Sequence, residues 1–364
     1  MSAISIGERP LPPTLVYGYI EGQLSRLVSR FGLEDQRAAI LGTYQLICVE
    51  SLAIPLAQRP PSFSRINEDG TPFQFSLALG ASKSPLQFLS EAGVAGDSAA
   101  ARRRANSEAL HWIATLLDAQ EALLEVTPLI DEMVPGNNPD LLADSSGAIW
   151  IGAAFVQEEA PKLKIYLNAK WGREADQWKR LHSFASHFNA ASRWGDAKPA
   201  LKREMQPLGL SITISGGQLP SGRIYLSAYG KPMAYYEALA EASAGRAFLE
   251  RFRLYTDILL GENRQYPTPS TVCSFGFDAC GSYDFKFEMC GLRIFESDAD
   301  AMARCVKWLK LQNIEPNPYL HVLQELSGGM FCSSKPRLHC YLGLGAKRES
   351  IYSTFYFNPG IWNA

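Results

Sequence analysis

Short stretches of alternating apolar and polar positions recur along the chain in pairs. Pro72 to Leu79 (PFQFSLAL) is the first, followed by a segment around Pro85 to Leu89. Ala148 to Val156 is followed by Leu163 to Lys170, and Leu210 to Ser215 by Arg223 to Tyr229. Cys273 to Phe277 is followed by Tyr283 to Met289, and Arg337 to Leu344 by Ile351 to Phe357. A two-residue period places successive side chains on opposite faces of a strand, and the Gly and Pro between paired runs mark hairpin turns. The spacing predicts five hairpins, at about 71–91, 148–170, 210–229, 272–289 and 337–357. Between them the apolar positions change to a helical period, over Asn106 to Leu124, Glu174 to Ala191, Ala234 to Leu260 and Asp298 to Leu311. Two further helices, near Leu15 to Arg30 and Asp35 to Leu52, precede the first hairpin.

The second strands return at nearly constant intervals, from Tyr166 to Tyr225 to Phe287 to Phe355. Regular recurrence of one helix–hairpin unit marks a repeat architecture. An open array needs capping repeats, and none is evident. Ten antiparallel strands can instead close on themselves and remove the exposed edges. The expected fold class is α+β: five repeated units giving a ten-stranded antiparallel β-barrel surrounded by α-helices. One domain is expected over 1–364, with the N-terminal helices over 15–52.

Parity says which way the strands face. In Lys164–Ile165–Tyr166–Leu167–Asn168 the polar and aromatic residues share one face, and Ile165 and Leu167 share the other. Arg223–Ile224–Tyr225–Leu226–Ser227 repeats that pattern. Helices outside the barrel would cover the aliphatic face and turn Lys, Arg and Tyr into the lumen. The same alternation also fits a sheet with one solvated face. Its recurrence on successive hairpins favours the lumen.

Composition narrows the setting. Of 364 residues, 46% are hydrophobic and 20% charged, the balance of a globular chain rather than a disordered one. A net charge of -2 gives no global attraction to nucleic acid, so any anion site has to be local. The one dense basic run, Arg102–Arg103–Arg104, opens an Ala-rich helical pattern and reads as a solvated helix face. No run reaches the roughly 18–20 apolar residues of a membrane span, and Met1 to Pro13 has no apolar leader core, so a cytoplasmic location is expected. The cysteines, at 48, 273, 280, 290, 305, 332 and 340, include no CxxC pair. Their odd number argues against a disulfide framework or a zinc site, and Cys273, Cys280 and Cys290 read as small buried residues.

The candidate chemistry lies on the strands. Lys164/Tyr166 and Arg223/Tyr225 converge if both faces look inward, Lys286 adds a third cation, and Tyr352 and Tyr356 share a face of the last strand. Cations backed by phenolic hydroxyls suit a multiply charged phosphate ligand. Tyrosine rings also stabilise a carbocation and keep water away from it. No P-loop, no GxGxxG after a strand and no aspartate-rich DDxxD occurs, so neither a nucleotide loop nor a magnesium-held diphosphate is expected. Gly281–Ser282 lacks a nucleophile-elbow context. His111, His182, His187, His321 and His339 lack metal spacing and read as structural.

The order of hairpins, Lys164-x-Tyr166, Arg223-x-Tyr225 and the ending Phe355–Tyr356–Phe357–Asn358–Pro359 resemble the dimethylallyltryptophan synthase group. These are the indole prenyltransferases of ABBA fold, and the resemblance runs from about Pro61 to Pro359. It implies transfer of a dimethylallyl or longer prenyl group from its diphosphate to an indole or other electron-rich aromatic acceptor, in secondary metabolism and with no metal cofactor. It carries Lys164, Arg223 and Lys286 over as diphosphate binders. Tyr166, Tyr225, Tyr341, Tyr352 and Tyr356 become cation shields, Ile66 and Gln74 acceptor contacts, and Lys164 and Gln74 the catalytic pair.

Two departures from the family pattern stand out. Pro72–Phe73–Gln74–Phe75–Ser76 has Gln74 where the family's Pro-x-Glu-x-Ser has a Glu that accepts the indole N–H. An amide oxygen still accepts that bond but carries no charge and takes no proton at ordinary pH, so the base is unassigned and Gln74→Glu is expected to raise activity on simple indoles. Gln87 stands where the family often has an Arg on the diphosphate, and Lys83 is near enough in sequence to supply that charge. Two other functions fit such a lumen. One is a barrel that binds an aromatic or isoprenoid diphosphate without turnover, and the other is a hydrolase or cyclase acting on the ester.

Overall fold

The computed structural model describes residues 14–58, 64, 66–67, 70–80, 86–94, 96–134, 147–228, 230–261, 271–278, 283–328, 337–347 and 350–361. Ten strands lie among them: β1 (Phe73–Leu79), β2 (Leu86–Ser90), β3 (Ile149–Phe155), β4 (Lys162–Asn168), β5 (Gln206–Ser215), β6 (Gln218–Ala228), β7 (Thr271–Phe277), β8 (Tyr283–Cys290), β9 (His339–Lys347) and β10 (Ser350–Phe357). They form a closed barrel in the order β1-β10-β9-β8-β7-β6-β5-β4-β3-β2. Every neighbouring pair is antiparallel, and β1 closes the circle on β10 with Phe75 opposite Phe357. Closure leaves no strand edge unpaired.

The helices surround this barrel. They are α1 (Val16–Arg30), α2 (Arg37–Ser51), α3 (Ala99–Leu116), α4 (Gln120–Met133), α5 (Glu174–His187), α6 (Ala191–Glu204), α7 (Met233–Leu260), the single turn α8 (Gly291–Ile294), α9 (Asp298–Leu311) and α10 (Asn317–Ser327). Ile165 and Leu167 are fully buried beneath them, as are Ile224 and Leu226. Aromatic contacts fix the helices on the wall. Phe252 and Tyr236 of α7 meet Phe287 edge-on at 4.8 and 5.3 Å, and Trp194 of α6 meets Phe275 at 6.1 Å. Trp308 of α9 donates its indole N–H to Ser353 Oγ at 2.8 Å. Each buried ring of this kind contributes about 1.5–3 kcal/mol of transfer free energy. The core is therefore the shell between barrel and helices, and the lumen is left for polar groups.

Several helical boundaries differ from the sequence pattern. The run from Asn106 to Leu124 is two helices, because Asp118 takes φ 53 and turns the chain from α3 into α4. Asn189, with φ 55, likewise separates α5 from α6. Asp and Asn tolerate the left-handed region better than other side chains, so a turn fits inside an otherwise periodic run. Gly245, with φ 83 and ψ 175, kinks α7. Helix α10, closed by Gly328 in the left-handed conformation, has no counterpart in the predicted elements.

The basic run is also corrected. Arg104 is exposed, but Arg102 is only 5% exposed and lies 3.7 Å from Glu91, which is fully buried just beyond β2. The α3 face that packs on the barrel includes Arg102, so the run straddles two environments. Cys273 and Cys290 are buried thiols, as expected, as are Cys48, Cys305 and Cys340, while Cys280 and Cys332 lie outside the described residues. His339 is a buried structural group between Asp298 Oδ1 at 3.1 Å and the Tyr319 hydroxyl at 2.8 Å. No described helix is long and apolar enough to cross a membrane.

Candidate active site

The lumen holds two cavities that share three tyrosines. One, of about 300 Å³, is lined by Lys162, Lys164, Arg223, Lys286 and Lys347, with Asp278, Asp284, Gln87 and Tyr352. The other, of about 270 Å³, is lined by Ile66, Gln74, Leu89, Trp150, Leu208, Leu210, Val272, Tyr341 and Glu288. Tyr166, Tyr225 and Tyr356 belong to both. Strand parity produces the arrangement. Lys162, Lys164 and Tyr166 alternate along the inner face of β4, Arg223 and Tyr225 along β6, and Lys286 and Glu288 along β8.

In the cationic cavity Lys164, Arg223 and Lys286 each have a lumen partner. Lys164 Nζ donates to Gln87 Oε1 at 2.5 Å. Arg223 donates to Ser274 Oγ at 2.9 Å and forms an ion pair with Asp284, whose other oxygen accepts from the Tyr352 hydroxyl at 3.3 Å. Lys286 Nζ donates to the Tyr356 hydroxyl at 2.6 Å and pairs with Glu288 Oε1 at 2.6 Å. Burial, reinforced by repulsion from Lys286 and Arg223, pushes Lys164 down to about 7. Burial also lowers Lys286, against the pull of Glu288. Loss of hydration is larger than the neighbouring charges can offset, so an anion carrying several negative oxygens would relieve a standing cost.

The shared tyrosines stand between the cavities. Tyr166 and Tyr225 have ring centroids 6.1 Å apart at 39°, and Tyr225 hydroxyl lies 3.2 Å from Ser211 Oγ. Burial pushes Tyr225 up to about 12 and raises Tyr166 and Tyr356 well above the usual phenol value. The three phenols therefore stay neutral near pH 7. A neutral phenol presents an electron-rich face to a cation while remaining a poor nucleophile at oxygen.

Each expected site residue except Lys83 has a definite place. Lys164, Arg223, Lys286 and Gln87 line the cationic cavity, but Gln87 acts on Lys164 rather than supplying a charge. Tyr352 sits in the cationic cavity and Tyr341 in the apolar one, so of the five expected shields only Tyr166, Tyr225 and Tyr356 span the boundary. Ile66 and Gln74 line the apolar cavity. Gln74 Nε2 donates to Ile66 O at 3.3 Å and to Asn67 Oδ1 at 3.0 Å. Its amide nitrogen is thus engaged, and its carbonyl oxygen is the group available to an acceptor N–H or O–H. Lys83 lies outside the described residues.

Charged lumen groups that were not anticipated are Lys162, Lys170, Lys347, Asp278, Asp284 and Glu288. The signal for Lys162 and Glu288 was present, since Lys162-x-Lys164 and Lys286-x-Glu288 each share a strand face with a residue already singled out. Among the described residues no group of three or more His, Cys, Asp or Glu is placed to hold a metal ion.

No protein-family model matches the chain, and no curated protein matches it by sequence. Solved structures do match its shape. The 5-dimethylallyl tryptophan synthase from Streptomyces coelicolor, in complex with DMASPP and Trp, superposes with a TM-score of 0.81 at 20% identity, covering 96% of this chain and 97% of that one. The prenyltransferase PriB, in a ternary complex with L-tryptophan and dimethylallyl thiolodiphosphate, gives 0.78 at 22% identity over 96% and 97%. The 6-dimethylallyltryptophan synthase from Micromonospora olivasterospora, in complex with DMASPP and Trp, gives 0.77 at 16% identity over 95% and 98%. With ten antiparallel strands closed inside a ring of helices and near-complete overlap in both directions, this chain has the ABBA fold.

Proposed function

We propose that the protein transfers a dimethylallyl or longer prenyl group from its diphosphate to an indole or other electron-rich aromatic acceptor. The observation that carries this reading is the pair of lumen cavities, one cationic and one largely apolar, meeting at Tyr166, Tyr225 and Tyr356. A diphosphate head suits the first and a flat aromatic ring the second. The fold's solved relatives were crystallised with a donor analogue and with tryptophan, which supports the same assignment.

The chemistry follows from the positions. Lys164, Arg223 and Lys286 take up the negative charge that builds on the departing diphosphate. Arg223 exchanges part of its contact with Asp284 for the ligand, and Lys164 is held toward the head group by Gln87. The allylic cation lies against the faces of Tyr166, Tyr225 and Tyr356, which stabilise it and exclude water. An aromatic ring in the apolar cavity, oriented through Gln74 Oε1, attacks from the other side. These cations are the electrostatic stabilisers that a divalent metal would otherwise supply, so turnover in a chelator is part of the proposal.

The test is an incubation with dimethylallyl diphosphate, excess EDTA and a panel of indoles and phenols, read by mass spectrometry. A product heavier than one acceptor by a C5H8 unit is the expected result. Dimethylallyl alcohol released equally with and without acceptor would instead mark a hydrolase. Donor binding without any turnover would mark a carrier.

A further inference from the structure

We infer that Glu288 is the general base that takes the proton displaced from the acceptor, an inference that rests on the prenyl-transfer reading. Alkylating an aromatic ring at carbon or nitrogen leaves one proton too many on the acceptor, and some group beside the new bond has to remove it. Gln74 cannot, because an amide is not basic at ordinary pH. Asn168 is excluded for the same reason, and both of its polar ends are engaged, with Gly147 O and with Lys170 N. The tyrosines of the boundary hold their protons too tightly to be acceptors in their neutral form. Among the described residues, Glu288 is the one carboxylate lining the acceptor cavity.

Its position matches the task. Lys286 and Glu288 are two residues apart on the inner face of β8, so their side chains leave the strand about 7 Å from each other along the lumen. Lys286 reaches into the donor cavity and Glu288 into the acceptor cavity, with the Tyr356 hydroxyl bound to Lys286 between them. The new bond forms at that boundary. Opposite Glu288 on β9 is Gly343, where a Cβ atom would lie 3.1 Å from Glu288 Cγ and 3.4 Å from Lys286 Cδ. The absence of a side chain there leaves both charged groups room to lie along the wall.

The ion pair links the base to the donor. Lys286 Nζ lies 2.6 Å from Glu288 Oε1. A diphosphate in the cationic cavity competes for that ammonium and leaves the carboxylate free to turn toward the acceptor.

The step balances. The allylic C–O bond breaks and diphosphate leaves with its electron pair. The acceptor atom forms the new bond to the allylic carbon. The electrons of its C–H or N–H bond return to the ring as the proton passes to a Glu288 carboxylate oxygen. The carboxylic acid releases that proton to water as the products leave.

The experiment compares wild type, Glu288→Gln and Glu288→Asp with dimethylallyl diphosphate and an acceptor carrying deuterium at the alkylated position. Glu288→Gln is expected to lower kcat on the order of 10²-fold or more while inorganic diphosphate still binds in calorimetry. A primary deuterium isotope effect should emerge in that variant, and Glu288→Asp should recover part of the rate. A Glu288→Gln enzyme as fast as wild type overturns the inference and leaves prenyl transfer standing. So does a slow variant that has lost diphosphate binding and shows no isotope effect, since Glu288 then only holds Lys286. Absence of transfer in the wild-type enzyme overturns the functional reading itself, and this inference with it.

Discussion

Gln87 Oε1 accepts a hydrogen bond from Lys164 Nζ at 2.5 Å, across the inner face of β3, where Gly152 and Ala154 leave the path open. An Arg at position 87 would face the Lys164 ammonium with a like charge. The Gln gives up one cation and fixes the direction of another. On the proposed prenyl-transfer reading, Lys164→Ala is expected to lower turnover on the order of 10²-fold, because the charge it would stabilise develops in the transition state. Steady-state kinetics with the donor varied would check this. Unchanged kcat would remove Lys164 from the leaving-group machinery.

The same residue sets a pH dependence. Burial and the nearby Lys286 and Arg223 push Lys164 down to about 7, so above that pH the empty site holds a neutral amine. A diphosphate favours the ammonium, and binding above pH 7 must take up a proton. Affinity is expected to weaken as pH rises, approaching about tenfold per pH unit while one proton is coupled. The folded protein also holds this proton less tightly than the unfolded chain does. The stability of the empty protein should accordingly rise with pH between about 7 and the ordinary lysine value. Calorimetry of inorganic diphosphate binding in two buffers of different ionisation enthalpy measures the proton directly. An affinity independent of both pH and buffer would contradict it.

The strands and their inward faces were legible in the sequence because the pleat has a period of two and the hairpin recurs. Lys164-x-Tyr166 and Arg223-x-Tyr225 carried that information locally. What parity could not give was depth along the lumen. Tyr341, Tyr352 and Tyr356 look equivalent in sequence, and register alone puts the first in one cavity, the second in the other and the third in both. The role of Glu288 is illegible for a related reason, since its meaning comes from a cavity to which the nine other strands contribute. The buried Glu91–Arg102 pair was illegible because it depends on how α3 docks, which a run of three arginines does not encode.

Gln74 shows a local substitution constrained by a neighbour. Its Nε2 donates to Asn67 Oδ1 and Ile66 O, while Asn67 Nδ2 donates to Thr71 O at 3.0 Å and to Phe73 O. A carboxylate at position 74 would face two acceptor oxygens, and Asn67 cannot flip without losing both of its own bonds. The sequence pattern suggests that Gln74→Glu gains activity, but this surrounding network opposes it. The variant is expected to lose about 1–3 kcal/mol of stability and to gain no rate on simple indoles. Denaturant melts alongside product assays decide the matter, and a faster enzyme of normal stability would mean that Asn67 rearranges.

Gly345 tests the donor cavity from a residue that carries no chemistry. It is the register partner of Tyr352 on β10 and of Lys286 on β8, and a Cβ atom there would overlap the Tyr352 ring. Tyr352 lies across the glycine and reaches Asp284, which in turn holds Arg223. Gly345→Ala must therefore tilt the ring away, breaking the hydroxyl contact to Asp284 and loosening the Arg223 guanidinium in the cationic cavity. Overpacking of this kind costs about 1–3 kcal/mol, too little to unfold a closed ten-stranded barrel. The expected outcome is a modest fall in melting temperature together with about a tenfold rise in KM for the donor. The KM for the acceptor should stay near wild type, because Tyr352 does not line that cavity. Equal losses for donor and acceptor would show that the two cavities respond as one, and that the tyrosine boundary does not separate their functions.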